Sequence, residues 1–174
     1  MLKEKIDSLL DHVQKPARYM GGEMNAVLKN PEQVSIRYAF AFPDVYEVGM
    51  SHLGSRILYD IINKHEDALC ERVFIPWVDM IDLMRKENVP LFTIESRSRS
   101  FDMLGITLQY EMSYTNILEI LDLSGIPLHS EDRTWDDPIV IAGGPCAFNP
   151  EPLHRFIDAF SIGDGEISTL ETID

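Results

Sequence analysis

Four short loops hold most of the residues able to touch a small molecule. The first, DVYEVGMSHLG at residues 44–54, carries Asp44, Tyr46, Gly49 and His52. The second, QYEMSY at 109–114, follows Thr107 and carries Ser113. The third, GGPCAFN at 143–149, carries Gly143, Gly144 and Cys146, and the fourth, GDGE at 163–166, carries Gly163 and Glu166. Glycine lets backbone approach a ligand closely, while hydroxyl, imidazole and carboxylate groups orient it by hydrogen bonding. None of this spells a catalytic centre. No nucleophile–base pair is readable from spacing, and HExxH is absent. Of the five histidines, only His52 falls in one of these loops or in the first turn of a helix, where a satisfied structural hydrogen bond is its ordinary role. Cys146 follows the GGP turn and is either a partly exposed thiol or a packed, inert one. Cys70 and Cys146 form no CxxC or CxxxCxxC, so the chain has no local signature for zinc or an iron–sulfur cluster. Neither catalytic nor metal-ligating residues are expected within it.

The pattern of elements places these loops together. Residues 34–42, 72–76, 103–109, 138–142 and 159–162 read as strands, with 91–94 as a further short candidate. Apolar residues recur at helical spacing over 2–14, 51–64, 78–87 and 114–123. Ser51 is the expected N-cap of the second helix, and Gly125 the C-cap signal of the fourth. A short helix is expected near 151–157 and another after Glu166. Strands alternating with helices imply an α/β fold with an open, doubly wound, mostly parallel sheet. The strands carry continuous apolar runs, as a sheet covered on both faces requires. Ligands in such sheets bind at the carboxyl ends of the strands, and all four loops follow strands. Residues 1–33 read as a helix and loop extension, and 34–174 as the α/β domain. The one basic run, SRSRS at 96–100, reads as a solvated loop.

Composition narrows the classes. The 174 residues include 15 Lys or Arg and 29 Asp or Glu, a formal net charge of −14. That excludes the positive footprint a nucleic-acid module needs. Apolar content is 45%, an ordinary globular value, and no stretch approaches the ~18 apolar residues of a spanning helix, so no membrane partner is expected. Two isolated thiols without a secretion signal point to a reducing cytoplasm. GxGxxG and GxxxxGK[ST] are both missing, which removes the usual dinucleotide and P-loop phosphate cradles. The first loop also lacks the Ser/Thr/Gly run suited to the phosphate of a flavin mononucleotide.

Several stretches together resemble the N-terminal, cobalamin-binding-like domain of a bacterial radical SAM family. They are KPARYMGGE at 15–23, FPDVYEVGMSHLG at 42–54, GITLQYEMSYTNIL at 105–118, AGGPCAFNPEPL at 142–153 and IGDGE at 162–166. The resemblance implies a flavodoxin-like, Rossmann-like fold of five parallel strands in the order 2-1-3-4-5. Cobalamin-binding domains carry DxHxxG after the first strand, SxL after the third and GG after the fourth. Here the first mark reads Asp44-x-Tyr46-x-x-Gly49, so tyrosine stands where the cobalt-ligating histidine would be. Thr107 or Ser113 offers the hydroxyl of the second mark, and Gly143-Gly144 keeps the third. A phenol must lose its proton to ligate cobalt, unlike neutral imidazole. Either a corrinoid binds without a protein axial ligand, or the site no longer binds one; His52 is the remaining substitute.

The resemblance further implies a 4Fe-4S cluster and S-adenosylmethionine in a catalytic barrel of the full-length protein. Both lie outside this chain, which reads as a fragment whose last helix is interrupted. Two roles compete: an accessory domain holding a corrinoid or part of the substrate beside that barrel, and a non-catalytic interaction domain with a vestigial site. The segment Phe74-Ile-Pro-Trp77 is the expected contact edge for the second.

Overall fold

The computed structural model of the chain describes residues 2–173. Five strands form one sheet: β1 Ile36–Phe42, β2 Ala68–Phe74, β3 Met103–Thr107, β4 Ile139–Gly143 and β5 Ala159–Ser161. Their order is β2-β1-β3-β4-β5, and every neighbouring pair is parallel. This is the doubly wound, flavodoxin-like arrangement, with the switch in strand order between β1 and β3. The helices are α1 Leu2–Leu10, α2 Tyr46–Ser51, α3 Leu53–Lys64, α4 Val78–Glu87, α5 Tyr114–Ser124 and α6 Gly165–Ile173. No helix among the described residues is long and apolar enough to cross a membrane.

Alternation along β1 sorts the core onto the two faces of the sheet. Ala39 and Ala41 join the larger cluster with Ile6 and Leu9 of α1, Met80 and Met84 of α4, and Ile117 and Ile120 of α5. Tyr38 and Phe40 join the smaller cluster with Tyr59 and Ile62 of α3 and Ile173 of α6. The small alanines suit the face covered by three helices; the large rings fill the face covered by two. Residues 2–33 share this core rather than adding a separate one, since Ile6 and Leu9 are buried in the main cluster.

Several sequence expectations shift. α1 ends at Leu10 rather than at residue 14. β2 starts at Ala68, four residues earlier than the apolar pattern indicates, because Glu71 and Arg72 interrupt that pattern while sitting buried in the strand. Each is matched there: Glu71 accepts from the Ser96 N–H at 2.9 Å, and Arg72 Nε donates to Glu95 at 2.6 Å. Residues 91–94 form no strand; Leu91 N–H reaches Leu123 and Ile94 N–H reaches Arg72 singly. Residues 151–156 make turns, not a helix. The helix expected over 51–64 starts at Leu53, capped by His52 rather than Ser51, and a separate short helix, α2, precedes it. The SRSRS run is not simply solvated. Arg97, in the left-handed region at φ +58°, pairs with Asp7 and pins α1. Gly125 closes α5 in the left-handed conformation, as its position implies.

A cleft at the carboxyl edge of the sheet

A cavity of about 150 Å³ opens between the carboxyl half of the sheet and helices α3 and α6. Its walls come from alternate residues of one sheet face: Tyr38 and Phe40 of β1, Gly105 and Thr107 of β3, Ile141 and Gly143 of β4, and Ser161 of β5. Leu58 of α3 closes one side, while Glu166, Thr169 and Thr172 of α6 close the other. Two glycines create the space. A Cβ on Gly105 would lie 2.0 Å from the Tyr38 hydroxyl, so that ring crosses the sheet only because position 105 has no side chain. Gly144 adopts φ +108°, and a Cβ there would lie 2.9 Å from the Leu108 carbonyl oxygen. The third-strand loop therefore packs backbone to backbone at the cleft floor, where Leu108 N–H donates to Gly143 O at 2.6 Å.

The polar groups of the cleft are partly spoken for. His52 Nδ1 accepts from Ser55 N–H at 3.1 Å and lies 2.9 Å from Ser55 Oγ, capping α3. Accepting a backbone N–H requires the Nδ1 lone pair, so the imidazole proton is on Nε2. Gln109 Nε2 donates to Thr107 Oγ1 at 2.6 Å, and the Ser161 and Ser168 hydroxyls pair at 2.7 Å. Six of the ten candidate residues line this cleft: His52, Thr107, Gly143, Gly144, Gly163 and Glu166.

The other four lie elsewhere. Asp44 Oδ1 accepts from Val45 N–H at 2.7 Å, and Oδ2 accepts the Tyr110 hydroxyl. That carboxylate pushes the Tyr110 phenol up to about 12. Tyr46 donates its hydroxyl to Glu23 Oε1 at 3.1 Å and meets Phe74 edge-on. Burial and then Glu23 raise its pKa, which keeps it a neutral donor. Gly49 is a packing glycine, since a Cβ there would lie 2.2 Å from the Phe74 ring. Ser113 is buried and donates to Tyr110 O at 2.8 Å, bracing the loop after β3.

Around Tyr46 the edge is filled by a charge network. Arg72 donates through Nε to Glu95, lies 4.0 Å from Glu23, and stacks on Tyr59 at 4.3 Å. All three charged side chains are buried. The two carboxylates hold the Arg72 guanidinium protonated. The leader crosses the edge here: Gly21 sits at φ +69°, where a Cβ would strike the Ile94 carbonyl at 2.4 Å. Phe74 and Ile75, expected as a contact edge, are buried core instead; only Trp77 of that segment stays half exposed.

Sequence reasoning missed Tyr38, Gly105, Ser161, Thr169 and Thr172 as cleft residues. Period-two alternation was the available signal, since it puts Tyr38 and Phe40 on one face of β1 and Gly105 and Thr107 on one face of β3. A glycine in the middle of a strand also marks close approach. Cys70 is buried, its thiol pushed well up by desolvation; Cys146 is half-buried, and both are unpaired. Among the described residues no cluster of three His, Cys, Asp or Glu side chains is placed to hold a metal ion.

A family pattern described as the N-terminal region of radical SAM proteins matches residues 54–174. The chain belongs to the radical SAM N-terminal family. The match runs from the start of α3 to α6 and takes in every cleft-lining residue except Tyr38, Phe40 and His52, while the KPARYMGGE leader and nearly all of the first loop precede it. The chain is also 29% identical over 133 residues to an uncharacterized protein, MJ0966, of Methanocaldococcus jannaschii. That alignment covers 74% of this chain and 24% of the relative, so this radical SAM N-terminal domain spans about a quarter of the longer protein.

Proposed function

We propose that this chain is the accessory ligand-holding domain of a radical SAM protein. Its carboxyl-edge cleft would hold a corrinoid, or part of the substrate, next to a catalytic barrel that supplies the 4Fe-4S cluster and S-adenosylmethionine. The observation that carries this reading is the cleft itself. It is an open, glycine-framed cavity at the carboxyl edge of a doubly wound sheet, where such folds bind ligands.

The residues present fit a corrinoid only if cobalt takes no ligand from the protein. Tyr46, standing in the place of the motif histidine, is turned to Glu23. His52 has committed Nδ1 to Ser55 and offers N–H rather than a lone pair at Nε2. A corrin macrocycle is far larger than the cavity, so it would rest across the mouth with only a ring-sized appendage inside. Gel filtration with hydroxocobalamin tests this. The corrinoid should co-elute with the protein and keep the absorption spectrum of a complex without a histidine ligand. No co-elution at tens of micromolar of each overturns the corrinoid version.

A second reading, docking of another folded unit at the same edge, is favoured by one observation. Met112 (89% exposed), Phe148 (72%), Leu53, Ile162 and Ile167 stand out from the loops and helix starts around the cleft. Exposed apolar groups gathered at one edge mark interaction surfaces. Binding to a separately expressed barrel that is lost on Met112→Asp with Phe148→Asp, without loss of corrinoid, separates the two readings.

A further inference from the structure

Tyr38 is 6% exposed, yet its hydroxyl has no hydrogen-bond partner among the described residues. It lies on the cleft wall, over the bare backbone of Gly105, and a Cβ at 105 would occupy its space. The hydroxyl is not one of the fully enclosed atoms left without a partner, so it opens into the cavity and is free to donate to whatever partner occupies it. The surroundings restrict that partner. Desolvation holds the phenol far above its ordinary pKa, so it keeps its proton and acts as a donor. Phe40, Leu58 and Ile141 give the cavity an apolar side. No Lys or Arg lines the cleft, and its one carboxylate is Glu166, so a phosphate or carboxylate would find no counter-charge. A cavity of about 150 Å³, apolar on the side of Phe40, Leu58 and Ile141 and polar toward α6, is the size that takes one small aromatic ring system.

We infer that Tyr38 is a specificity-determining residue: the cleft takes a neutral, planar heteroaromatic group, selected by a hydrogen bond from the Tyr38 hydroxyl to an acceptor nitrogen or carbonyl oxygen on the ring. The inference rests on the cleft being a ligand site, but not on the ligand being a corrinoid. Glycine at 105 is part of the device, since any side chain there displaces the donor.

Indole and 7-azaindole test it, because they share a shape and differ by one acceptor nitrogen. Each is titrated into the whole chain and followed by the amide signals of Gly105, Gly143, Gly144 and Gly163. The 7-azaindole should bind about fivefold more tightly than indole, the selectivity of one net hydrogen bond. In Tyr38→Phe, which keeps the ring, that ratio should fall to about one while indole affinity holds. Equal binding of the two probes to the unaltered chain overturns the inference, even should the variant fail to fold. So does a preference that survives Tyr38→Phe, which hands selection to another donor such as His52. If neither probe shifts the cleft amides, the inference fails, and hydroxocobalamin co-elution then shows whether the cleft still serves as a ligand site. If the probes are discriminated and hydroxocobalamin does not bind, the inference stands and the corrinoid is the wrong member of the class.

Discussion

The carboxyl edge of this sheet has two halves built on opposite plans. Over the carboxyl ends of β1 and β2 the leader, α2 and the loop at 94–96 close down on one another, and rings and buried ions leave only a void of about 10 Å³ beside Tyr46 and Phe74. Over β3, β4 and β5, on the face that also carries Tyr38 and Phe40 of β1, the same edge is hollow. Glycine serves both plans in contrary ways. Gly49 admits the Phe74 ring against the α2 backbone, whereas Gly105 admits the Tyr38 hydroxyl to a cavity wall and Gly144 lets two loops touch. The closed half carries the motif Asp44-x-Tyr46-x-x-Gly49, and the open half carries the space. The motif side chains turn to Tyr110, Glu23 and Phe74, while the outer backbone of edge strand β2 is paired by Asn63 and by residues 94 and 95.

If the closed half is held by its buried ions, the largest effect comes from breaking them. Arg72→Met leaves Glu23 and Glu95 buried without a counter-charge. It should lower stability by about 3–5 kcal/mol in urea unfolding, the range for stranding a buried partner. Triple replacement with Glu23→Gln and Glu95→Gln should recover part of that loss. A loss below about 1 kcal/mol for Arg72→Met would mean the network is wetter than the closed plan requires. Next in size is Gly49→Ala, whose methyl would lie 2.2 Å from Phe74. Overpacking of this kind costs about 1–3 kcal/mol, and Phe74→Leu in the same chain should relieve it. Additive losses in the double variant would show that the two positions do not touch.

Much of this was readable from residue order. The alternation of strands and helices and the glycine-rich turns imply the doubly wound sheet and its binding edge, and α4 and the cap at Gly125 stand where the pattern places them. What stayed hidden depended on partners distant in sequence. The start of β2 was read four residues late because buried Glu71 and Arg72 are matched by Ser96 and Glu95, more than twenty residues away. His52 looked like a possible cobalt ligand because its own backbone partner, Ser55, is an ordinary residue of the next helix turn. Nothing in the sequence singles out Tyr38; only the pairing register, which brings Gly105 opposite Phe40, shows the ring crossing toward a bare position. The first loop pointed to a ligand by its motif, and the direction its side chains take, toward Glu23, Tyr110 and Phe74, is set by a leader that periodicity leaves unread.

The open half is tested at His52, where a structural and a ligand-directed role diverge. His52→Ala removes the α3 cap and should cost about 1 kcal/mol, and His52→Asp should restore most of it because aspartate caps as well. Neither change should move the visible spectrum of bound hydroxocobalamin, since Nδ1 is committed to Ser55 and Nε2 carries the proton. A spectral change with either variant would place His52 on cobalt and require the cap to open on binding.

The smallest effect belongs to the rim of the closed half, where solvent reaches the charges. Arg18 Nε lies 3.0 and 2.9 Å from the two Glu47 oxygens, and Lys15 Nζ lies 3.1 Å away. The Arg18 hydrogen bond holds the Glu47 carboxyl down to about 2. A carboxyl depressed on folding adds stability that is fully present above its ordinary range and is lost as pH falls toward the depressed value. Because Glu47 is nearly half exposed, that contribution is screened to about 0.5 kcal/mol. Arg18 also sits 5.1 Å over the Trp77 ring, which makes the tryptophan a local reporter. In a Trp135→Phe background, with the fully exposed second tryptophan removed, Trp77 emission should change between about pH 4.5 and pH 2 before the far-ultraviolet signal does. Glu47→Gln should abolish that early change and leave the later cooperative loss in place, since the buried Arg72 network lies behind it. Coincident transitions in both proteins would mean that the leader and the sheet edge it covers come apart as one unit, and that the rim has no separate hold on the strap.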